Sequence, residues 1–527
     1  MKFGPPSEVS ADRAQVRIFR YDPMQDREPR YDFFEVPLEK GNVILDVLNF
    51  VYENLDGTLA FEHGCRYGRC GLCAVKVNGR PVLACQTLAG PAMVIEPLDN
   101  FPIIRDLVVD RKEVDDRVKQ IQPFLQRNPG QVSLPEILLP ARFETFREVS
   151  RCTGCLACHS SCPSYSLNPY TFSGPSVLVD LTRYALDPRD VLDRVPLAYS
   201  AGLFNCFQCG KCQEVCTQHI PVGERVLERL RSMAVSRKVV PPAVLEVSEN
   251  LLATGRPFST IGGGPTTSLS ARDSRDEGDG DMRGERIGLF VGCTINADPR
   301  LQKIGAKILE VLRRSGNQVA VEIPAEQVCC GLPWVQMGER GQAKTLVEKN
   351  VLLFEEKGIH HVVALCPGCA MVMKNEWPKM FTSLQNRAPM FRVSDLSEFL
   401  LATFPAETGG MKPLNMAVTF HDPCHLGRGQ GIYSAPREVL HRLPGVELRE
   451  MPGADQCCGG GGMVRATNWK LAQSAAIRRI EGLQDLKVGG IVTTCPTCLL
   501  QLSMAVKSSR LKGIKALHLV DLLHQAL

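Results

Sequence analysis

Two four-cysteine runs constrain this chain more than anything else in it: Cys152, Cys155, Cys158, Cys162 and Cys206, Cys209, Cys212, Cys216, each spaced C-x2-C-x2-C-x3-C. That spacing lets one short loop offer three thiolates to an iron–sulfur cube, while the fourth cysteine usually ligates the other cluster. The two runs are therefore read as one interlocked unit, with the chain up to about residue 250 folding as helices around the two loops. Upstream, Cys65, Cys70, Cys73 and Cys85 read C-x4-C-x2-C with a more distant fourth cysteine, the plant-type 2Fe–2S pattern. Gly64, Gly68 and Gly71 interleave with these ligands, where a loop closing on a cluster needs backbone freedom. Zinc is the weaker reading, because zinc sites favour two C-x2-C pairs.

Around these motifs the hydrophobic pattern changes character. Residues 14–40 alternate apolar and polar as two strands would (Val16, Ile18, Tyr21; then Tyr31, Phe33, Phe34, Val36), and Asn42 to Leu55 carries an amphipathic helical stripe. From Phe101 to Arg127 the spacing predicts helix, and Glu224–Val235 predicts an amphipathic helix packed inward. Residues 258–286 are rich in Gly, Thr, Ser, Asp and Arg with little apolar content, as a flexible linker would be. The chain beyond is a duplication. Cys293, Cys329-Cys330 and Cys366-Pro-Gly-Cys369 return as Cys424, Cys457-Cys458 and Cys495-Pro-Thr-Cys498, at offsets of 131, 128, 129 and 129 residues. Val393-Ser-Asp-Leu396 returns as Val520-Asp-Leu522. Within each unit a strand (287–291; 417–420) enters the first cysteine and another (362–365; 491–493) enters the C-x2-C pair. Helices (301–314; about 436–442) lie between them. Strands alternating with helices predict α/β units with parallel strands and cysteines at their carboxyl ends. The domains expected are a flexible N-terminus (1–13), a 2Fe–2S ferredoxin domain (14–101), an α-helical domain with two 4Fe–4S clusters (102–257), the linker (258–286), and two α/β cysteine-rich domains (287–410 and 411–527).

All 22 cysteines fall in these motifs, which points to metal ligation in a reducing, oxygen-avoiding cytoplasm rather than to disulfides. A net charge of +4 over 527 residues and the lack of a basic tract interleaved with aromatics give no support for nucleic-acid binding. No apolar run approaches membrane-spanning length, and residues 1–13 hold no apolar signal segment. No G-x-G-x-x-G after a strand and no P-loop are present, so no nucleotide site is expected in this chain.

Residues 14–240 resemble the iron–sulfur subunit of succinate dehydrogenase and fumarate reductase. The match is carried by Cys65-Arg-Tyr-Gly-Arg-Cys70-Gly-Leu-Cys73, Ala84-Cys85, Asp106-Leu-Val-Val-Asp110, Cys162-Pro-Ser-Tyr165, Asn168-Pro169 and Gly174-Pro175. The resemblance implies a β-grasp ferredoxin whose Cys65, Cys70, Cys73 and Cys85 hold a 2Fe–2S cluster facing an FAD-bearing flavoprotein partner. It implies that Cys152, Cys155, Cys158 and Cys216 hold a 4Fe–4S cluster. Quinone-reactive members lack the middle cysteine of the second run and hold a 3Fe–4S cluster. Here Cys209 fills that position, so Cys162, Cys206, Cys209 and Cys212 are expected to hold a second 4Fe–4S cluster. Ser166-Leu167 and Phe207 stand where that family places the Trp and His of its quinone site, and Thr217 replaces the Pro after Cys216; a quinone exit is therefore not expected.

The second half resembles the cysteine-rich CCG domains of the catalytic subunit of heterodisulfide reductase, also found in glycolate-oxidase-type iron–sulfur subunits. The resemblance implies a non-cubane 4Fe–4S cluster per unit, held by Cys293, Cys329, Cys330, Cys366 and Cys369 in one and by Cys424, Cys457, Cys458, Cys495 and Cys498 in the other. Structural zinc, or a degenerate half without metal, is the competing reading. The union of both halves resembles the iron–sulfur subunits of thiol:fumarate reductases. It implies electron transfer between a flavoprotein that interconverts fumarate and succinate and a thiol/disulfide site where these ten cysteines are catalytic, with coenzyme M and coenzyme B as thiols. The alternative is a relay to quinone or to another electron-transfer complex without thiol chemistry. His421, His425 and Arg428 surround Cys424 and could orient or protonate thiols, or could be ordinary loop and cap residues. His63 and His159 are read as hydrogen-bonding or surface groups. The Gly459–Gly462 run is read as allowing close backbone approach to a cluster, with a phosphate cradle less favoured.

Overall fold

The computed structural model describes residues 13–128, 130, 139–258, 286–314, 321–404 and 410–527; residues 1–12 and nearly all of the expected linker, 259–285, lie outside the described residues. The chain divides into two compact units, Met1–Leu203 with Gly210–Met233, and Phe204–Cys209 with Ala234–Leu527.

The first unit opens with a five-stranded mixed sheet in the order β2-β1-β5-β3-β4. Its strands are β1 (Arg13–Arg20), β2 (Arg30–Pro37), β3 (Ala74–Val77), β4 (Arg80–Leu83) and β5 (Ala92–Glu96). Strict alternation on β1 buries Ala14, Val16 and Ile18, and a helix at Ile44–Asn54 turns Ile44, Leu45, Val47, Leu48 and Val51 inward at 3.6-residue spacing. The helix expected from Phe101 starts only at Lys112. Before it the chain makes a two-stranded hairpin, β6 (Ile103–Arg105) and β7 (Val108–Val109). Asp106 decides this locally. It adopts φ 47°, and its buried carboxylate accepts from the backbone N–H of Tyr21 and Ala60 and pairs with Arg20 at 3.1 Å. Those three partners lie far away in sequence, so helical spacing alone misread the segment.

Short helices follow at Ala157–Ser160, Pro163–Leu167, Pro175–Ala185, Val195–Ser200 and Lys211–Glu214. Pro163 and Pro175 occupy first-turn positions, where a missing N–H costs nothing. Arg194, 2% exposed, ties this part together: it pairs with Asp190 at 2.7 Å and donates to the carbonyls of Ile121, Gln122 and Phe124. Val222–Glu228 is a π-helical turn leading into an α-helix at Arg229–Ser236, with Val222, Val226, Leu227 and Leu230 buried.

The second unit contains two four-stranded, all-parallel sheets. In the first, β8 (Ile287–Phe290), β9 (Val321–Glu322), β10 (His361–Ala364) and β11 (Arg392–Asp395) lie in the order β11-β10-β8-β9. In the second, β12 (Met416–Phe420), β13 (Val446–Leu448), β14 (Gly490–Thr493) and β15 (Lys515–His518) repeat the same order, β13-β12-β14-β15 read from the other edge. The duplication is thus a duplication of topology. The structure shifts its far end: Asp395 and His518, each the last strand residue, both cap the closing helix, and Glu398 and Asp521 complete the two capping boxes. Val393-Ser-Asp therefore corresponds to Ala516-Leu-His518, not to Val520-Asp521.

The two halves exchange helices. Pro299–Arg314 packs on the closing helix Leu519–Ala526 of the other half, and Ser434–His441 packs on Leu396–Thr403. One apolar core runs through both, from Leu289, Ile308 and Leu400 to Val418, Val439, Leu519 and Leu523. His524 to Glu310 at 2.7 Å and Arg442 to the carbonyls of Leu401 and Phe404 pin the reciprocal contacts.

Candidate metal centres

No disulfide joins any of the 22 cysteines, and the fold gathers them into groups. In the first unit the Cys65–Cys73 loop wraps its own sulfurs: Cys65 Sγ accepts from the N–H of Arg69 at 3.2 Å and of Cys70 at 3.3 Å. Burial alone would push the Cys65 thiol up, but these backbone donors and that of Tyr67 outweigh it and bring it down to about 6. Cys73, buried against Cys85, is pushed up to about 12 by desolvation. Gly71, at φ +73°, shows how close the next loop comes: a Cβ there would stand 2.7 Å from the Thr153 carbonyl and 2.9 Å from the Cys155 N–H nitrogen. The Cys65–Cys73 loop and the Cys152–Cys158 loop are therefore in backbone contact.

Cys212 and Cys216 come up beside Cys152, Cys155 and Cys158 of that second loop. The Cys158 thiol is pushed well up by desolvation and by the neighbouring Cys155, Cys152, Cys212 and Cys216. Cys216 Sγ accepts from the Ile220 N–H at 3.4 Å. His159 is fully buried beside Cys158. Burial lowers its pKa to about 4, and its Nε2 meets the Ser173 carbonyl at 3.1 Å, so it is a neutral hydrogen bonder. His63 shows only a ring contact with Phe61. Of the remaining ferredoxin-type cysteines, Cys162 and Cys212 belong to the first unit and Cys206 and Cys209 to the second.

In the second unit Cys293, Cys366, Cys424 and Cys495 sit just past the ends of parallel strands. Cys293 follows β8, Cys366 follows β10 as a helix N-cap, and Cys495 follows β14 likewise. The first vicinal pair is backed by a buried aromatic: Trp377 Nε1 donates to the Cys330 carbonyl at 3.0 Å. Thiol contacts run within each set, Cys293 to Cys329 and Cys330 to Cys369 in the first, Cys424 to Cys457 and Cys458 to Cys498 (3.2 Å) in the second. A further contact joins the halves, Cys366 to Cys495. Hydrogen bonding from Cys457 lowers Cys424 to about 6, helped by His425 and Arg428 against the opposing effect of burial.

Nine of the ten cysteines line one cavity of about 450 Å³, with Cys329 just behind Cys330. Val247, Phe258, Ile295, Leu332 and Leu500 make much of its wall apolar; His425 and Arg465 are polar exceptions. Arg428, largely buried, donates to the Cys209 carbonyl at 2.7 Å and pairs with Asp455 at 2.9 Å. His421 is buried behind Cys458. Its Nδ1 accepts from Arg479 Nε at 3.4 Å, its Nε2 has no oxygen or nitrogen partner, and a ring nitrogen lies within 4.8 Å of the Cys458 and Cys498 sulfurs. Sequence reading missed Arg465 and Arg479, which belong to no motif; comparing the duplicated halves position by position would have found them.

Gly460, Gly461 and Gly462 of the glycine run line the cysteine cavity, a Cβ on Gly460 would stand 3.6 Å from Cys458 Sγ, and the run also meets other backbone closely. Gly459, at φ +82°, lets the Trp469–Arg479 helix pack within 2.6 Å of a would-be Cβ. Gly461 and Gly462 lie against the backbone of Phe207 and Cys206, where a Cβ would stand 2.5 and 2.2 Å from their carbonyls.

These donor sets fit iron–sulfur clusters: grouped thiols, backbone N–H groups aimed at sulfur, and an orphaned imidazole nitrogen facing two of them. Family comparison agrees. Residues 15–116 match a 2Fe-2S iron-sulfur cluster binding domain, 148–220 a 4Fe-4S dicluster domain, and 287–374 and 418–503 the cysteine-rich domain abbreviated CCG. A subunit of the CoM/CoB fumarate reductase of Methanothermobacter marburgensis is 34% identical over 512 residues, 97% of this chain and 99% of that one. The chain belongs to that family. It joins an iron–sulfur subunit of the fumarate reductase and succinate dehydrogenase type to CCG domains, and is thereby a subunit of an oxidoreductase complex. The fumarate reductase iron-sulfur subunit of Mycobacterium tuberculosis is 38% identical over 223 residues, covering 40% of this chain and 90% of its own. In fold alone, a hypothetical protein from Helicobacter pylori aligns with 99% of the chain and 96% of its own length at TM-score 0.61 and 14% identity. Among the described residues no helix is long and apolar enough to cross a membrane.

Proposed function

We propose that this chain carries electrons between a flavoprotein that interconverts fumarate and succinate and a thiol/disulfide site in the shared cavity of the CCG halves. The domains are those given by the cysteine pattern: a 2Fe–2S domain (14–101), a two-cubane domain (102–257) and two CCG domains (287–410 and 411–527). Cys65, Cys70, Cys73 and Cys85 hold the 2Fe–2S cluster. Cys152, Cys155, Cys158 and Cys216 hold one cubane, and Cys162, Cys206, Cys209 and Cys212 the other. Each CCG set of five holds a non-cubane 4Fe–4S cluster. The observation that carries the reading is the single cavity lined by both sets, with Cys366 and Cys495 in contact across the halves. Cleaving a disulfide breaks one S–S bond, consumes two electrons and releases two thiolates. Clusters on the two sets would supply one electron each. The chain's own contribution is to hold both sets around one space, to wall it with apolar side chains, and to aim Arg465 and His425 into it. Coenzyme M and coenzyme B are the thiols that the relative's name suggests.

The test is low-temperature EPR with iron counting on anaerobically purified protein, before and after adding thiol. Five clusters give about 18 irons per chain and a thiol-dependent signal. About 10 irons and no thiol response would mean an empty or structural CCG half. The apolar wall would also admit a quinone ring, which is the relay reading; turnover of the complex with quinone but not with disulfide would establish that instead.

A further inference from the structure

The duplicated halves share their ligand positions but not their electrostatics. Applying the repeat offsets of 128–131 residues places each basic or imidazole group near the second set opposite a neutral or apolar partner in the first. His421 corresponds to Phe290, His425 to Thr294, Arg428 to Ala297, Arg465 to Gln336 and Arg479 to Asn350. Strand register supports the pairing: Leu289 lies opposite Val363 and Phe420 opposite Val492, each of these valines three residues before its C-x2-C pair, and Gly331 and Gly459 each face the equivalent Ala343 and Ala472.

What these groups do differs accordingly. In the first half Asn350 is bonded to backbone, accepting from the Val328 N–H and donating to the Cys329 carbonyl. In the second, Arg479 donates to His421 Nδ1, which leaves the imidazole proton on Nε2, the nitrogen without an oxygen or nitrogen partner, beside Cys458 and Cys498. Arg428 lies beside Cys424 and Cys457, and Arg465 interacts with Cys458 from the cavity wall. Near the first set, His518 is held neutral by burial and has both ring nitrogens occupied, by the Thr494 carbonyl and the Val520 N–H, and His425 lies between the sets, its Nδ1 3.0 Å from where a Cβ on Gly368 would stand.

Reduction adds negative charge to a cluster, and hydrogen bonds to sulfur together with nearby cations stabilise the added charge. We propose that the two CCG clusters are inequivalent, and that the one held by Cys424, Cys457, Cys458, Cys495 and Cys498 has the higher reduction potential and takes the first electron. His421 and Arg465 are then positioning residues that act on that cluster alone. This rests on both sets holding clusters, not on the disulfide chemistry.

The experiment is a potentiometric titration followed by EPR on the full-length, iron-loaded chain without thiol. The wild type, His421→Phe and Arg465→Gln are compared, each substitution installing the residue of the other half. The expected result is two separate CCG midpoints in the wild type. Each variant then lowers only the higher one, by a tenfold shift in the reduction equilibrium or more, about 59 mV for a one-electron couple, with iron content unchanged. Arg465→Gln keeps the test open should the buried His421→Phe lose iron. Coincident wild-type midpoints with full iron, or variants that move the lower midpoint or neither, overturn the inference while leaving the disulfide reading intact. A wild type with an iron-free CCG half overturns both.

Discussion

Gly462→Ala isolates what the glycine run is for. At φ +62° an alanine incurs the left-handed backbone penalty, about 1–2 kcal/mol. Its Cβ would also stand 2.2 Å from the Cys206 carbonyl and 2.8 Å from the Phe207 carbonyl carbon, where ordinary contact begins near 3.4 Å. The opposing group is backbone, so it cannot swing aside as a side chain would; the Cys206–Phe207 segment has to retreat by roughly 1 Å. Overpacking of this kind costs about 1–3 kcal/mol more. Gly431→Ala is the internal control, since Gly431 has φ +73° and nothing within 4 Å of a would-be Cβ. Anaerobic urea titration of both variants should show Gly462→Ala less stable than Gly431→Ala by about 1–3 kcal/mol. EPR should show loss or distortion of the cubane signal assigned to Cys206, with the 2Fe–2S signal intact. Equal stability of the two variants with an unchanged cubane signal would refute the steric argument.

Cys209→Ser should leave the second cubane one thiolate short and convert its signal to the 3Fe–4S type, read by EPR and a loss of about one iron per chain. Trp377→Ala should cost about 3–5 kcal/mol in anaerobic denaturation, because Trp377 is fully buried and caps the Cys330 carbonyl; it should also disturb the first CCG cluster before the second. Arg194→Met should cost about 3–5 kcal/mol, since it strands the buried Asp190 carboxylate and frees the carbonyls of Ile121, Gln122 and Phe124. A cost below about 1 kcal/mol would show that the bridge is structurally idle.

Local rules explain why much of this protein was legible before any coordinates. Metal-ligand spacing is a covalent constraint on short loops, so the three ferredoxin-type motifs and the vicinal cysteine pairs stand out by position alone. The parallel α/β order of the CCG halves follows from strands alternating with helices, and the duplication follows from four matching offsets. Where reading failed, a distant partner was responsible. The helix expected from Phe101 became a hairpin because Asp106 bonds to Tyr21, Ala60 and Arg20. The closing helices were paired out of register because capping geometry, not residue identity, sets the correspondence of Asp395 with His518.

Which cysteines are candidates, how they group along the chain and that the second half is repeated were determined by sequence alone, because each depends on neighbours a few residues apart or on internal repetition. Tertiary structure alone decided that the two CCG sets open into one cavity, that Cys366 meets Cys495, that Gly462 makes room for Cys206, and that Arg479 holds His421 against Cys458. These contacts join residues tens to hundreds of positions apart, brought together by helix exchange between the halves and by packing, and no local pattern encodes them.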